Sequence, residues 1–286
     1  MIKQWRLDTN NQSLVLSSSG NRLPCVIYWG KSLPSHESPD EMIEASKKDW
    51  GDNLIDLVPE LSILPEQSAN FSGQLGSKMR DINGQLLSSS FVFHSDKVSA
   101  NSLTLIYKDK ELGLTYTAKI DSMEEHDVFA LEAKIESKNP IILEWLSAPV
   151  IEASQNSNEI VGYGGHWGGE FRRQTTPWVT GTHLRESRVG TTSHAHFPGL
   201  LIPASGSSEN SGSCYGFHYG WSGGHRMVAE QLQDGRKQIQ FGHTENSELS
   251  PGKSFETAKL YITHSGDGAG GVGRTFRAFV SNFLVD

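Results

Sequence analysis

Residues 112–120 read LGLTYTAKI, with Leu112, Leu114, Tyr116, Ala118 and Ile120 apolar and Gly, Thr, Thr and Lys between them. Successive side chains of a strand point to opposite faces. This two-residue period therefore predicts a strand with one face on a core and the other in solvent, the habit of antiparallel sheets. The same pattern extends outward. Short β-rich runs at 91–94, 102–107, 128–137 and 141–146 are punctuated by Lys108-Asp109-Lys110 and Lys138-Asn139-Pro140. Upstream lie runs at 4–7, 13–16 and 23–29, with a turn at Ser18-Ser19-Gly20-Asn21; downstream lie runs at 199–203, 214–221, 227–232, 237–241 and 254–263. A strand roughly every 8–12 residues predicts an all-β sandwich or barrel, not βαβ units.

Two segments break the pattern. Ser38-Pro39-Asp40-Glu41 has the form of a capping box with Pro at the first helical position, and Lys47 and Lys48 suit a last turn, so a short inserted helix is expected at 39–48. At the C-terminus, Phe276, Phe279, Val280, Phe283 and Leu284 recur at helical spacing within 274–284. Such an apolar helix must either dock on this domain or meet a partner. The polar loop 205–212 (SGSSENSG) is expected to be exposed and mobile.

Bulk composition excludes several classes. The chain has 286 residues, 36% of them hydrophobic, enough for a packed core and for one large all-β domain. Its net charge of -8 and its lack of a Lys/Arg stripe argue against nucleic acid. No apolar run nears the roughly 20 residues of a membrane span, and 1–11 carries no apolar leader core, so a cytoplasmic protein is expected. Cys25 and Cys214 are too few for a disulfide framework and read as free thiols.

Residues 162–199 (GYGGHWGGEFRRQTTPWVTGTHLRESRVGTTSHAHFPG) crowd Gly, Trp, Arg and His into a run with no clean period, which points to a sugar surface or a domain contact. Eight of the 11 histidines follow residue 160, but no His-Glu-x-x-His or Cys-x-x-Cys accompanies them, and no metal or cofactor is expected; His194-x-His196 would share one face of a strand. Glu170 and Glu186 are the carboxylates of the run, with Arg172, Arg173, Arg185 and Arg188 at hand to neutralise them. Trp167, Trp178 and Trp221 sit beside glycine or polar residues, where an aromatic face can stack on a sugar ring or fill the core.

Taken together, several of these residues resemble glycoside hydrolase family 36, the α-galactosidases. The resemblance rests on Trp167-x-x-Glu170, Val179-Thr180-Gly181, Glu186-Ser187-Arg188-x-Gly190, Ser193-His194, Pro198, Tyr215-Gly216-Phe217, Trp221-Ser222-Gly223 and Leu249-x-Pro251-Gly252-x-Ser254-Phe255-x-Thr257. It extends upstream to Val26-Ile27-Tyr28-Trp29-Gly30-Lys31, to Leu103-Thr104-Leu105 with Asp109, and to Leu112-Gly113-Leu114-Thr115-Tyr116.

The resemblance is to that family's N-terminal domain. It implies a β-supersandwich of the galactose-mutarotase type at 1–270 and a connector helix at 271–286 leading toward a (β/α)8 barrel, where the catalytic aspartates reside. No catalytic residue is then expected in this chain. The implied partners are that barrel, further copies of the chain and a carbohydrate substrate. Glu170, Arg188, His194 and Trp221 are expected at the domain contact. Lys48, Asp49 and Trp50 occupy the place of a family loop that reaches a neighbouring subunit's active site, and with Trp167 and Trp178 they are the substrate-side candidates. Two other readings stay open: a free-standing carbohydrate-binding module using Trp167 or Trp178, and a mutarotase-type epimerase with a His acid and a Glu base.

Overall fold

The computed structural model describes residues 2–34, 36–37, 39–46, 59–189, 195–246 and 250–284. In chain order the strands are β1 (Ile2–Asp8), β2 (Gln12–Ser19), β3 (Cys25–Lys31), β4 (Ser77–Asp81), β5 (Leu86–Leu87), β6 (Val92–Val98), β7 (Ser102–Asp109), β8 (Leu114–Met123), β9 (Val128–Leu146), β10 (Ile151–Glu152), β11 (Glu159–His166), β12 (Gly169–Pro177), β13 (Gly181–Ser187), β14 (Gly199–Pro203), β15 (Cys214–Tyr219), β16 (His225–Gln231), β17 (Lys237–His243), β18 (Gly252–Glu256) and β19 (Leu260–Ser265). Helix α1 (Pro39–Ser46) falls where the inserted helix is expected, and α2 (Gly268–Phe279) follows the last strand.

These strands form three antiparallel sheets. One is β1-β2-β3, and a second is β10-β17-β16-β13. The largest runs β12-β11-β14-β15-β19-β9-β8-β7-β6, with β18 and the β4-β5 hairpin also paired to it. The architecture is the expected β-supersandwich. The core lies where Leu103, Leu105 and Tyr107 of β7 and Leu114, Tyr116, Ala118 and Ile120 of β8 turn inward, at alternate positions. Leu112 and Gly113 belong to the turn before β8, Gly113 with a φ of 67°.

Two run boundaries differ from the sequence reading. Lys138-Asn139-Pro140 does not end a strand, because β9 is continuous over 19 residues. Its first half pairs with β8 as far as Ser137, and its second half pairs with β4 from Ile141. Pro140 thus sits at the change of neighbour, where a missing N–H breaks no ladder bond. Conversely, the run at 254–263 splits into β18 and β19. Between them Thr257 gives its N–H to the Ala133 carbonyl at 2.9 Å and takes the Ala133 N–H on Oγ1 at 3.0 Å. Its side chain stands in for a ladder position while the chain shifts along β9.

Residues 162–199 are less irregular than they read. Most lie in β11, β12 and β13. Edge strand β12 is exposed along nearly its whole length, so it has no buried face to impose a period.

The apolar C-terminal helix docks on this domain. It begins at Gly268, earlier than its apolar spacing indicates, and buries Val272 and Phe279. Gly216 of β15 makes room: a Cβ there would lie 2.3 Å from Val272 and 2.9 Å from Phe276. A one-turn π-helix, Val280–Leu284, follows, and the Phe283 ring stacks on Phe279 at 5.3 Å. The 205–212 loop, expected to be mobile, is pinned instead. The N–H groups of Gly268, Ala269 and Gly270 donate to the carbonyls of Gly212, Ser208 and Glu209 at 2.8, 3.2 and 2.7 Å. Backbone oxygens so satisfy the orphan donors of the α2 N-terminus.

Candidate functional site

Strand β13 is the edge of the four-stranded sheet and pairs with β16, placing Glu186 beside Arg226 and Ser187 beside His225. Its even-numbered side chains are the less buried ones, and just past its end Arg188 lines a cleft of about 590 Å³ together with Trp145, Trp221, His243 and Glu256. Trp221 is 45% exposed and stands edge-on to the His243 ring, 4.7 Å between centroids.

A continuous ion-pair network runs beside this cleft. Glu186 binds Arg188, and Arg226 lies 3.9 Å from Glu186 and also binds Glu245. Arg188 donates to the Glu245 carbonyl at 3.2 Å. Lys78 links Glu245 (3.8 Å) to Glu144 (3.1 Å), which Arg80 holds at 2.5 Å. The Arg226 guanidinium also stacks over Trp145 at 5.4 Å. Burial alone would raise the Glu144 carboxyl, but hydrogen bonds from Arg80 and Lys78 outweigh it and hold the group below its usual range. A carboxylate kept ionised between two cations is a poor general acid. This arrangement suits a polar, rigid rim around an aromatic patch, fit to bind a hydroxylated ligand or to pack on another domain.

Of the sequence candidates, Arg188 and Trp221 come together at this cleft. Trp167 lies elsewhere, 83% exposed at the tip of the β11–β12 hairpin, where Glu170 accepts the Gly168 N–H at 2.9 Å. Just beyond, Phe171 adopts a φ of 56° and stacks on Tyr163 at 5.0 Å and against Phe197 at 4.8 Å. Trp178 is half-buried: its Nε1 donates to Ser157 Oγ at 3.3 Å, and Lys237 Nζ sits 5.5 Å from its ring. Lys48, Asp49, Trp50 and His194 lie outside the described residues.

Two sequence readings change. His196 is in a loop, not a strand. Arg185 does not neutralise Glu186, because adjacent strand residues point to opposite faces; Glu186 is held by Arg188 and Arg226. Arg226, Glu245, Glu144 and His243 were not foreseen as site residues, since no motif links positions so far apart. Among the described residues no group of His, Cys, Asp and Glu could hold a metal ion, and no helix is long and apolar enough to cross a membrane.

The profile of the glycosyl hydrolase family 36 N-terminal domain matches residues 22–249. This chain belongs to that family. Its relatives include the α-galactosidase of Escherichia coli, 27% identical over 292 residues, which cover 99% of this chain and 40% of the relative. The α-galactosidase AgaA of Geobacillus stearothermophilus is 28% identical over 312 residues, covering 96% of this chain and 41% of the relative. The chain thus spans about 40% of the length of the curated relatives it matches. A crystal structure of AgaA in complex with stachyose superposes with a TM-score of 0.85 at 20% identity, over 98% of this chain and 43% of that one. In this family 36 domain, Arg188 of Glu186-Ser187-Arg188 and Trp221 of Trp221-Ser222-Gly223 line one cleft, although more than thirty residues separate them in the sequence.

Proposed function

We propose that this chain serves as the non-catalytic N-terminal domain of a cytoplasmic retaining α-galactosidase that removes terminal α-galactosyl residues from oligosaccharides. The observation carrying this reading is the alignment of nearly the whole chain with only 40% of an α-galactosidase. The paired carboxylates beside the Trp221 cleft fit it, since they are built to hold a surface rigid and not to pass protons. In this reading Arg188 and Trp221 border the contact with a catalytic barrel, and the domain shapes the active-site entrance and contributes to contacts between copies.

The test is hydrolysis of an aryl α-galactoside by the purified 286-residue chain. No turnover is expected; turnover that a substitution within the chain abolishes would overturn the proposal. A second reading, in which the chain itself binds sugar, is favoured by the exposed Trp167 at its hairpin tip. It requires calorimetric heat with α-galactosides that disappears in Trp167→Ala.

A further inference from the structure

We propose that the groove between α2 and the β11–β12 hairpin is a binding site for a small amphiphilic anion, one with a flat aromatic body and a single carboxylate or sulfonate head. The proposal stands apart from the α-galactosidase reading.

The groove holds about 640 Å³, the size of a pocket for a drug-sized molecule. Its wall is a ribbon of rings. Tyr163 stacks with Phe171 at 5.0 Å, Phe171 meets Phe197 edge-on at 4.8 Å, Phe197 stacks with His218 at 5.2 Å, and His218 meets Phe276 of α2 edge-on at 6.2 Å. All five line the groove. The ribbon is uncharged near pH 7, because burial pushes His218 down to about 4. Such a wall suits neither a free sugar nor a metal ion: the hydroxyls of the one and the charge of the other would lose water and gain few partners. It suits a flat apolar body, which joins the ribbon through stacked or edge-on ring contacts.

Two local features keep the groove formed at a cost to the fold. Phe171 holds a φ of 56°, which strains any residue with a side chain, yet its ring is 59% exposed and so gains little from the core. The strain sets the ring against Tyr163, at the lip of the groove. Across from it, Gly273 lies within α2, where glycine weakens a helix. A Cβ at Gly273 would meet nothing within 4 Å and its φ is not positive, so neither close packing nor a turn requires glycine there. What the missing side chain does is leave the helix side of the groove empty. Gly270 differs, since a Cβ there would lie 2.8 Å from the Glu209 carbonyl oxygen.

Charge around the groove selects the ligand's head. Among the described residues, three charged side chains line it: Glu209, Arg274 and Arg277. Glu209 lies 3.9 Å from Arg173, and Arg274 lies 3.6 Å from Asp267. Arg277 is exposed and has no ion-pair partner among the described residues. One guanidinium left over beside an apolar trough is the complement of one anionic group on an apolar body.

The experiment is fluorescence and calorimetric titration of the chain at pH 7.5 with anilinonaphthalene sulfonate, alongside its uncharged analogue phenylnaphthylamine. One saturable site is expected, with the sulfonate bound at least about tenfold tighter than the amine. Gly273→Leu puts a side chain into the groove on unstrained helical backbone. It should weaken sulfonate binding at least about tenfold while Tm holds or rises. Phe171→Gly relieves the left-handed strain and removes one ring. It should weaken binding several-fold, and it serves as the test if Gly273→Leu does not fold. Arg277→Gln should bring the affinity for the sulfonate down to that for the amine and leave the amine unaffected. Absence of saturable binding would overturn the proposal, as would equal affinity for the two probes. So would undiminished binding by folded Gly273→Leu or, in its place, by Phe171→Gly. A dimer in sedimentation that Gly273→Leu dissociates would assign the groove to a second copy of the chain and overturn the proposal as well.

Discussion

The two faces of β13 treat buried charge in opposite ways. On the outer face Glu186 joins Arg188, Arg226, Glu245, Lys78 and Glu144 in a chain where each charge meets an opposite one. On the inner face, one residue away in sequence, Arg185 is held by a carbonyl, an amide and an imidazole. The lesson is that burial alone does not say what a charged group is for. A paired charge fixes geometry, because removing one partner strands the other. A charge solvated only by neutral dipoles is held by many weak partners, and losing it strands acceptors but no opposite charge.

The largest effect should come from breaking the paired face. Arg226→Met takes the shared cation from Glu245 and Glu186, leaving them only Lys78 and Arg188, and should cost about 3 kcal/mol in denaturant unfolding, because two largely buried carboxylates lose their most buried partner. A loss under about 1 kcal/mol would mean the network is worth no more than a surface ion pair.

Next comes Glu66, which resolves the same problem by keeping a proton. Burial raises its carboxyl to about 7, while hydrogen bonds from the Phe91 N–H (3.0 Å) and the Ser89 hydroxyl (3.2 Å) pull the other way. A folded-state value above the unfolded one means the folded chain holds the proton longer. Stability is therefore full below about pH 4.5, falls as pH rises toward 7, and is flat above. Glu66→Gln should abolish that slope and gain on the order of 2 kcal/mol at pH 8 relative to the parent. An unchanged slope in the variant would assign it to another group.

Arg185→Met sharpens the contrast. It strands only neutral acceptors, the Tyr163 carbonyl, Gln174 and His196, and no opposite charge, so the loss should be about 1 kcal/mol and smaller than that of Arg226→Met. A loss as large as that of Arg226→Met would erase the difference between the faces. The smallest effect is expected at Trp167→Ala, within about 0.5 kcal/mol by thermal unfolding, because the side chain is 83% exposed.

What the sequence discloses follows from how each element is constrained. β7 and β8 have one face on the core and the other in solvent, and their alternation is plain in Leu103, Leu105, Tyr107 and in Leu114, Tyr116, Ala118, Ile120. β12 is wet on both faces and carries no such record. Pro140 reads as a break but marks a change of neighbour within β9, which only the pairing shows. Arg188 and Trp221 were legible from short motifs. Their companions Glu144, Arg226, His243 and Glu245 come from separate strands and loops, and only folding brings them together. Arg185 looked like one more partner for Glu186. The two-residue period of its own strand removes it from that role, and this was readable in principle once 181–187 was recognised as β.

The loop over the N-terminus of α2 has a further consequence. It grips the helix through main-chain oxygens of Ser208, Glu209 and Gly212, which every residue type possesses. The non-glycine letters of SGSSENSG can therefore wander while the bearing of the last helix stays fixed; Gly206 and Gly212, with φ of 79° and 85°, cannot. A further constraint is on the other side of the grip: Gly268 has a φ of 68°, and a Cβ there would lie 2.1 Å from the Ser208 oxygen. Evolutionary freedom in the six non-glycine loop positions thus depends on the constancy of a glycine outside the loop, at the first turn of the helix it holds.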